Sequence, residues 1–338
     1  MTFNNSINIV FGVSKNYVPY VSVVIASILK HSNTDNFFKF YVLSFDSLKN
    51  ELDPLVFSDY PNYKIFNLIA DRSYISPSHT SPHVTIDGNL RLFIPLILHD
   101  LDRCIYLDAD VLVNNDITAL YNINLDNYYA GGVSDNTNNF ERFLVAHNNI
   151  IIKKFRLKDD IYINSGVLLF NLKAIRQDHA ENLLIYTAVK YAGESYVTLA
   201  DQDFFNIAFN GKIKTIDPRW NVFVLRCYRP HVDCFILHYT SSHKPWNYPL
   251  IPSHLLYLEY AKISPYYETI KNDLLKRTDA YLASYKQHQF IFKLFNKFYY
   301  TLKLKSFRHY ALKWHPTKIQ MAIELRDFLT QPAEQHQK

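Results

Sequence analysis

The chain has 338 residues, 48% hydrophobic and 16% aromatic, with only 7 glycines against 26 tyrosines and 24 phenylalanines. Such a composition supports a sizeable core and excludes a disordered chain or a glycine-fingerprint nucleotide site. The formal charge of +5 is mild and does not by itself imply nucleic acid, and the length suits one large domain or one domain with an extension.

Taken in order, Ile7–Val13 is a short apolar run and predicts a buried strand, and Asn16–Lys30 follows with helical periodicity. Phe37–Leu43 and Tyr63–Asn67 predict further strands. Leu90–His99 predicts a helix, and Arg103–Leu107 a central strand running straight into Asp108. Gly166–Asn171 is another apolar run, and Ile185–Tyr191 falls in a helix. Strand-helix alternation of this kind predicts an α/β sheet covered on both faces, with ligands beyond the carboxyl ends of its strands. From Tyr257 onward the pattern is helical and strand-poor. We therefore divide the chain into a catalytic domain, 1–250, and a helical C-terminal region, 251–338. Over 286–318 that region carries Lys286, Lys293, Lys297, Lys303, Lys305, Arg308, Lys313 and Lys318 with no acidic residue.

Cys104, Cys227 and Cys234 are odd in number and form no CxxC pair, which reads as buried thiols in a reducing compartment. No basic-then-apolar leader opens the sequence, and no run approaches the ~18 apolar residues of a spanning helix. The expectation is a cytoplasmic protein. Ile291, Phe295, Phe298 and Leu302 recur at helical spacing among lysines, which suits a helix lying on the cytoplasmic face of the inner membrane. A helical subdomain with solvated lysines would give the same pattern.

The most informative stretch is Cys-Ile-Tyr-Leu-Asp108-Ala109-Asp110-Val-Leu-Val. Alternate side chains of an extended segment share a face, so the two carboxylates can converge on one divalent cation that would also hold a diphosphate. Two acidic caps at a strand end are the plainer alternative. His238 and Lys244, in His-Tyr-Thr-Ser-Ser-His-Lys-Pro-Trp, supply an imidazole suited to manganese and a point charge suited to phosphate. A lone histidine is more often a hydrogen-bonded core residue. Asn164-Ser-Gly166 precedes a strand and could offer its amide to a sugar hydroxyl or simply form a turn. Asp201-Gln202-Asp203 opens a helical segment, as a cap or as hydroxyl recognition beside a reacting carbon.

Together and in this order, these motifs resemble glycosyltransferase family 8, most of all its bacterial lipopolysaccharide galactosyl- and glucosyltransferases. The resemblance covers about residues 7–250 and extends toward 270. It rests on Ile-Val-Phe-Gly near the start, Arg91, Tyr-Leu-Asp-Ala-Asp-Val-Leu-Val, Asn164-Ser-Gly-Val-Leu-Leu-Phe-Asn-Leu, Asp201-Gln202-Asp203 and His-Tyr-…-Lys-Pro-Trp.

The resemblance implies a GT-A fold with a helical, basic C-terminal extension. It implies Mn²⁺ (or Mg²⁺) held by Asp108, Asp110 and His238, a UDP-sugar donor and retention of anomeric configuration. Lys244 would touch the diphosphate. Residues 12–17 would frame the uridine, with Gly12, Val13, Asn16 and Tyr17 as contacts, and Ala109 would line the nucleotide site. Arg91, Asp135, Asn164, Asp201 and Gln202 would hold the donor sugar, the last two next to the reacting carbon, and His83 falls where an acceptor contact is placed. The implied acceptor is a saccharide or lipid-linked glycan of lipopolysaccharide type; no nucleic-acid motif accompanies the basic segment.

The chain departs from the family pattern at Ser14, where an acidic residue is usual, at Ser241, where a glycine is common, and at Gly88-Asn89-Leu90, which replaces Thr-Tyr-Ala. None of these removes a metal ligand. A non-catalytic UDP-sugar-binding protein or a peripheral membrane protein on the same fold is the alternative to a transferase.

Overall fold

The architecture is that of a computed structural model, which describes residues 5–33, 35–74, 86–135, 142–224, 233–240, 244–247, 253–302 and 316–330. Ten strands are seen among these: β1 (Asn5–Gly12), β2 (Asn36–Ser44), β3 (Tyr63–Ile69), β4 (Cys104–Leu107), β5 (Val111–Val113), β6 (Ala130–Ser134), β7 (Ile163–Phe170), β8 (Ile213–Thr215), β9 (Val222–Phe223) and β10 (Ile236–His238). Seven form one sheet in the order β3-β2-β1-β4-β7-β6-β8, and β5, β10 and β9 form a small second sheet. β3, β2, β1 and β4 run parallel, whereas β7 is antiparallel to both β4 and β6. The central strands β1, β4 and β7 are largely apolar because both faces of the sheet are covered, whereas the edge strand β3 is only half-buried.

Strand alternation sends Ile7, Ile9 and Phe11 to one face, under Val21, Val24, Ile25 and Ile28 of the helix Val18–His31. Val10, Leu43, Tyr106 and Phe170 point to the other face, against Ile175, Leu184, Phe204 and Phe205 of three later helices. A third cluster joins Val23, Leu112, Leu237, Tyr239 and Trp246 to Tyr257, Ile270, Leu274, Leu325 and Leu329. Residues after 253 thus share a core with what precedes them. Cys104 and Cys234 are buried free thiols, and burial pushes the Cys104 thiol well up. Among the described residues no helix is long and apolar enough to cross a membrane.

Two predicted elements differ in detail. The predicted helix over Leu90–His99 is a 3-10 segment, Ile86–Phe93, followed by one α turn, Ile94–Ile97. Pro95 sits at the start of that turn, where its missing N–H costs nothing. The helix expected from Asn16 starts at Val18 after a 3-10 turn over Lys15–Tyr17, with Pro19 in its first turn. The stretch Ile291–Leu302 lies in the helix Tyr267–Leu302. His83, Cys227, Ser241 and 303–315 lie outside the described residues.

The chain leaves β1 toward β2 on one side, and β4 joins β1 on the other. This reversal opens a crevice beyond the carboxyl ends of β1 and β4, the usual ligand position of an open α/β sheet. Gly12 and Leu107 are the last residues of those strands.

Candidate functional site

Two strand registers bring the acidic pair and the imidazole together. Leu107 pairs with Val167, so Gly166 lies opposite Asp108, whose N–H donates to the Gly166 carbonyl at 2.9 Å. Val111 pairs with His238, and the Tyr239 N–H donates to the Asp110 carbonyl at 2.8 Å. Between the two strand ends the chain turns through Ala109 and Asp110. Asp108 and Asp110 converge through that turn rather than through strand alternation. One ligand atom each from Asp108, Asp110 and His238 lies within 4.8 Å of the others. The His238 Nε2 is 3.3 Å from Asp110 Oδ1 and 3.8 Å from Asp108 Oδ2.

Each ligand is held from behind. His238 Nδ1 meets Asn221 Oδ1 at 2.9 Å. An amide oxygen only accepts, so Nδ1 carries the proton and Nε2 presents its lone pair to the cluster. Asp108 Oδ1 accepts from Arg91 Nη2 and from the Tyr106 hydroxyl, each at 2.8 Å, which leaves Oδ2 facing the imidazole. Gly166 makes the approach possible. A Cβ there would stand 2.2 Å from His238 Cε1 and 2.8 Å from Asp108 Oδ2.

Lys244 reaches Asp110 Oδ2 with its ammonium and also donates to the Tyr239 carbonyl at 3.0 Å. Burial alone would raise the Asp110 carboxyl, but Lys244 and His238 outweigh it and hold the group well below the usual carboxylate range. The donor set, two carboxylates and one imidazole with a free nitrogen, fits a hard or borderline divalent cation.

Arg91 ties this cluster to the next. Its Nη2 holds Asp108, its Nε reaches Asp201 Oδ2 at 2.9 Å, and its Nη1 donates to the Ser165 carbonyl and hydroxyl at 2.6 and 2.8 Å. Burial opposes its charge, yet Asp108 and Asp201 together raise its pKa. Ser165 Oγ donates to Asp201 Oδ2 at 3.0 Å. Burial, opposed by Arg91 and reinforced by Asp108, pushes the Asp201 carboxyl up to about 6.

The Gln202 amide is pinned on both sides. Its Oε1 accepts from Asn164 Nδ2 at 2.9 Å and the Ser165 N–H at 3.2 Å, and its Nε2 donates to Asp135 Oδ2 at 3.3 Å. Asn164 Oδ1 accepts from Asn221 Nδ2 at 2.8 Å, which closes a path from Gln202 back to the His238 imidazole.

Nine residues singled out in the sequence therefore fall in one linked network: Arg91, Asp108, Asp110, Asp135, Asn164, Asp201, Gln202, His238 and Lys244. Of the other expected contacts, Ala109 sits between Asp108 and Asp110, and Gly12, Val13, Asn16 and Tyr17 lie at and just after the end of β1. Gly12 packs so close to the 3-10 segment that a Cβ would lie 2.8 Å from Leu90 Cβ. Asn16 and Tyr17 are exposed on the 3-10 turn after β1. The Tyr17 ring stands edge-on to Trp246 at 6.0 Å, and Trp246 stacks on Tyr20 at 3.8 Å.

Sequence reasoning missed several members. Ser165 lay inside a quoted motif without a role. So did Tyr106, two residues before Asp108; Asn221, Tyr162 and His147 carried no signal, because strand pairing and helix packing alone bring them here. Asp87 was also missed. Its carboxyl is raised by burial, against the opposing influence of Arg72 and of the nearby Ser14 side chain.

This mixed sheet, with its ligand cluster at the reversal point, has the GT-A fold of the glycosyltransferases. A galactosyltransferase, LgtC, solved with donor and acceptor sugar analogues, superposes with a TM-score of 0.61 at 23% identity over 76% of this chain and 96% of that one. The bifunctional glycosyltransferase WbbM gives 0.63 at 19% identity, over 81% of this chain and 52% of that one. The glycosyl transferase family 8 profile matches residues 8–249, and the chain belongs to that family.

A glycosyltransferase candidate of Haemophilus influenzae is 28% identical over 222 residues, 64% of each chain. The glycosyltransferase GlyF of Streptococcus pneumoniae is 24% identical over 258 residues, 71% of this chain and 57% of that one. The chain thus spans somewhat under two thirds of each of these two relatives. The family is one of glycosyltransferases, a class that generally works with a nucleotide-sugar donor, a glycan acceptor and a divalent metal.

Proposed function

We propose that this glycosyltransferase is a retaining hexosyltransferase that moves galactose or glucose from a UDP-sugar to a lipopolysaccharide-type glycan. The observation that carries the reading is the convergence of Asp108, Asp110 and His238 within 4.8 Å of one another at the carboxyl edge of the sheet. The donor set favours Mn²⁺, and such an ion would neutralise charge developing on the departing diphosphate.

The chain's own residues do the rest in this reading. Lys244 places a point charge beside Asp110, where it would also stand near a diphosphate held by the cation. Gly12 to Tyr17 frame the uridine, with Val13 and Ala109 against the nucleotide and Asn16 and Tyr17 at the base. Asp87, close enough to Ser14 for that side chain to influence its carboxyl, returns to this loop the carboxylate that its own sequence lacks. Arg91 and Asp135 position the sugar chiefly by orienting Asp108, Asp201 and Gln202, and Asn164 offers its amide to a hydroxyl. Asp201 and Gln202 face the reacting carbon and stabilise positive charge on the sugar. Gln202 is a poor nucleophile, and Asp201 is tied to Arg91 and Ser165. Both favour acceptor attack from the face that the diphosphate leaves, with the departing phosphate taking the acceptor's proton. The basic stretch over 286–318 suits docking on anionic lipid, where a lipid-linked acceptor would be found.

The test is a panel of UDP-sugars with Mn²⁺ and then with chelator, followed by mass analysis of glycans from a deletion strain. Release of hexose from UDP-galactose or UDP-glucose only with metal, and loss of one hexose from a surface glycan, is the expected outcome. Equal turnover in chelator sinks the reading.

A further inference from the structure

The third residue of Asp201-Gln202-Asp203 is left unused by this account. Asp203 is fully buried, and both its oxygens are occupied. Oδ1 accepts from the Tyr162 hydroxyl at 2.5 Å and from His147 Nε2 at 2.8 Å. Oδ2 accepts from the backbone N–H groups of Thr198 and Leu199 at 3.1 and 2.9 Å. With Nε2 donating, His147 Nδ1 accepts from the Thr198 hydroxyl at 3.0 Å, so the imidazole grips the same turn from its other side. A carboxylate so enclosed is not free to attack a sugar.

The turn it grips is strained. Ala200, directly before Asp201, has φ 36° and ψ −104°, in the left-handed region that a side-chain-bearing residue rarely enters. Such a conformation persists only where its surroundings over-determine it. Here the two preceding N–H groups are tied to Asp203, in the first turn of the helix Asp201–Ala208. The same anchor reaches the Gln202 amide. Tyr162, while donating to Asp203, accepts from Gln202 Nε2 at 3.3 Å.

We propose that Asp203, Tyr162 and His147 are positioning residues. They clamp the Thr198–Ala200 turn in its strained form and so fix the direction in which Asp201 and Gln202 face the reacting carbon. This rests on the proposed roles of Asp201 and Gln202, and the experiment separates the two claims.

One arm is kinetic. Tyr162→Phe removes a donor to Asp203 and an acceptor for Gln202 while keeping the ring. Its kcat should fall about tenfold or more, because small misplacement of reacting groups is costly. KM for the UDP-sugar and Mn²⁺ affinity should hold at their wild-type values. Unchanged kcat, or a loss shared equally by KM and Mn²⁺ affinity, overturns the proposal.

The other arm needs no turnover. Ala200→Gly relieves the strain but adds freedom to the unfolded chain. In the wild type the relief wins, and Tm should rise. In Asp203→Asn, with the clamp broken and the turn relaxed, only the entropic cost remains, and the same substitution should lower Tm. Should Asp203→Asn not fold, the cycle is run on Tyr162→Phe, where the gain in Tm should shrink. An equal effect of Ala200→Gly in both backgrounds refutes the clamp. A wild type with no transfer but the expected Tm cycle would instead refute the roles of Asp201 and Gln202.

Discussion

Gly166→Ala is a small change with a large expected effect. The added Cβ would stand 2.2 Å from His238 Cε1 and 2.8 Å from Asp108 Oδ2, against about 3.4 Å for ordinary contact. Gly166 pairs within the sheet next to Val167, so its backbone has little room to withdraw. The His238 ring would have to retreat by about 1.2 Å, several times the roughly 0.2 Å tolerance of a metal–ligand distance. It would also pull away from Asn221, which fixes its tautomer.

Overpacking of this kind costs about 1–3 kcal/mol of stability, a loss of a few degrees in Tm. The functional cost is greater. Mn²⁺ affinity should fall by about 10–100-fold and turnover by about 100-fold. Titration of Mn²⁺ by electron paramagnetic resonance, with thermal melting as a control for folding, measures this directly. A folded Gly166→Ala protein that binds Mn²⁺ as the wild type does would refute the argument that bare backbone makes the site.

Asn221→Leu, which removes the acceptor for His238 Nδ1, should weaken Mn²⁺ binding by about 10–100-fold, checked by the same titration. Asp201 should govern an acid limb in kcat/KM near pH 6, since its carboxyl is raised to about 6 and its charge is needed on the sugar; Asp201→Asn should abolish the limb along with most activity. The same shift sets a sign for stability. A carboxyl raised in the folded state favours folding below about pH 4 and loses that contribution as pH rises through about 6. Tm of Asp201→Asn should therefore gain on the wild type between pH 4 and 7, by up to about 3 kcal/mol in stability terms. Reversing Lys293 and Lys297 to Glu should weaken binding to anionic vesicles by at least about 1 kcal/mol per residue, read by vesicle sedimentation. Charge reversal serves better than truncation, because Leu325 and Leu329 belong to the core.

The α/β class was legible because both-face burial leaves a strong mark: Ile7–Val13 and Phe37–Leu43 are mostly apolar, broken only by Asn8, Gly12 and Lys39, and proved to be paired strands. Eight of the nine linked site residues were legible through short motifs or single residues whose order in the chain carried the resemblance, and Asp135 followed only from what that resemblance implies. What stayed hidden depended on long-range register. Asn221 reaches His238 because β9 pairs with β10, and nothing in the sequence announces a two-residue strand. His147 comes from the helix Arg142–Phe155, for which no element was predicted, and its partner Asp203 was read only with its neighbours, as a cap or as hydroxyl recognition. Asp87 comes near Ser14 from a segment expected to precede a helix. Even the convergence of Asp108 and Asp110 was anticipated for the wrong reason, since a turn and not strand alternation brings them together.

Calorimetric titration of UDP into the protein, with Mn²⁺ and with chelator, tests most directly whether one cation joins these side chains to a diphosphate. UDP should bind the wild type only when Mn²⁺ is present, and Asp110→Asn, though folded, should show no such dependence because it binds neither well. UDP affinity that is the same in chelator as in Mn²⁺ would contradict the account.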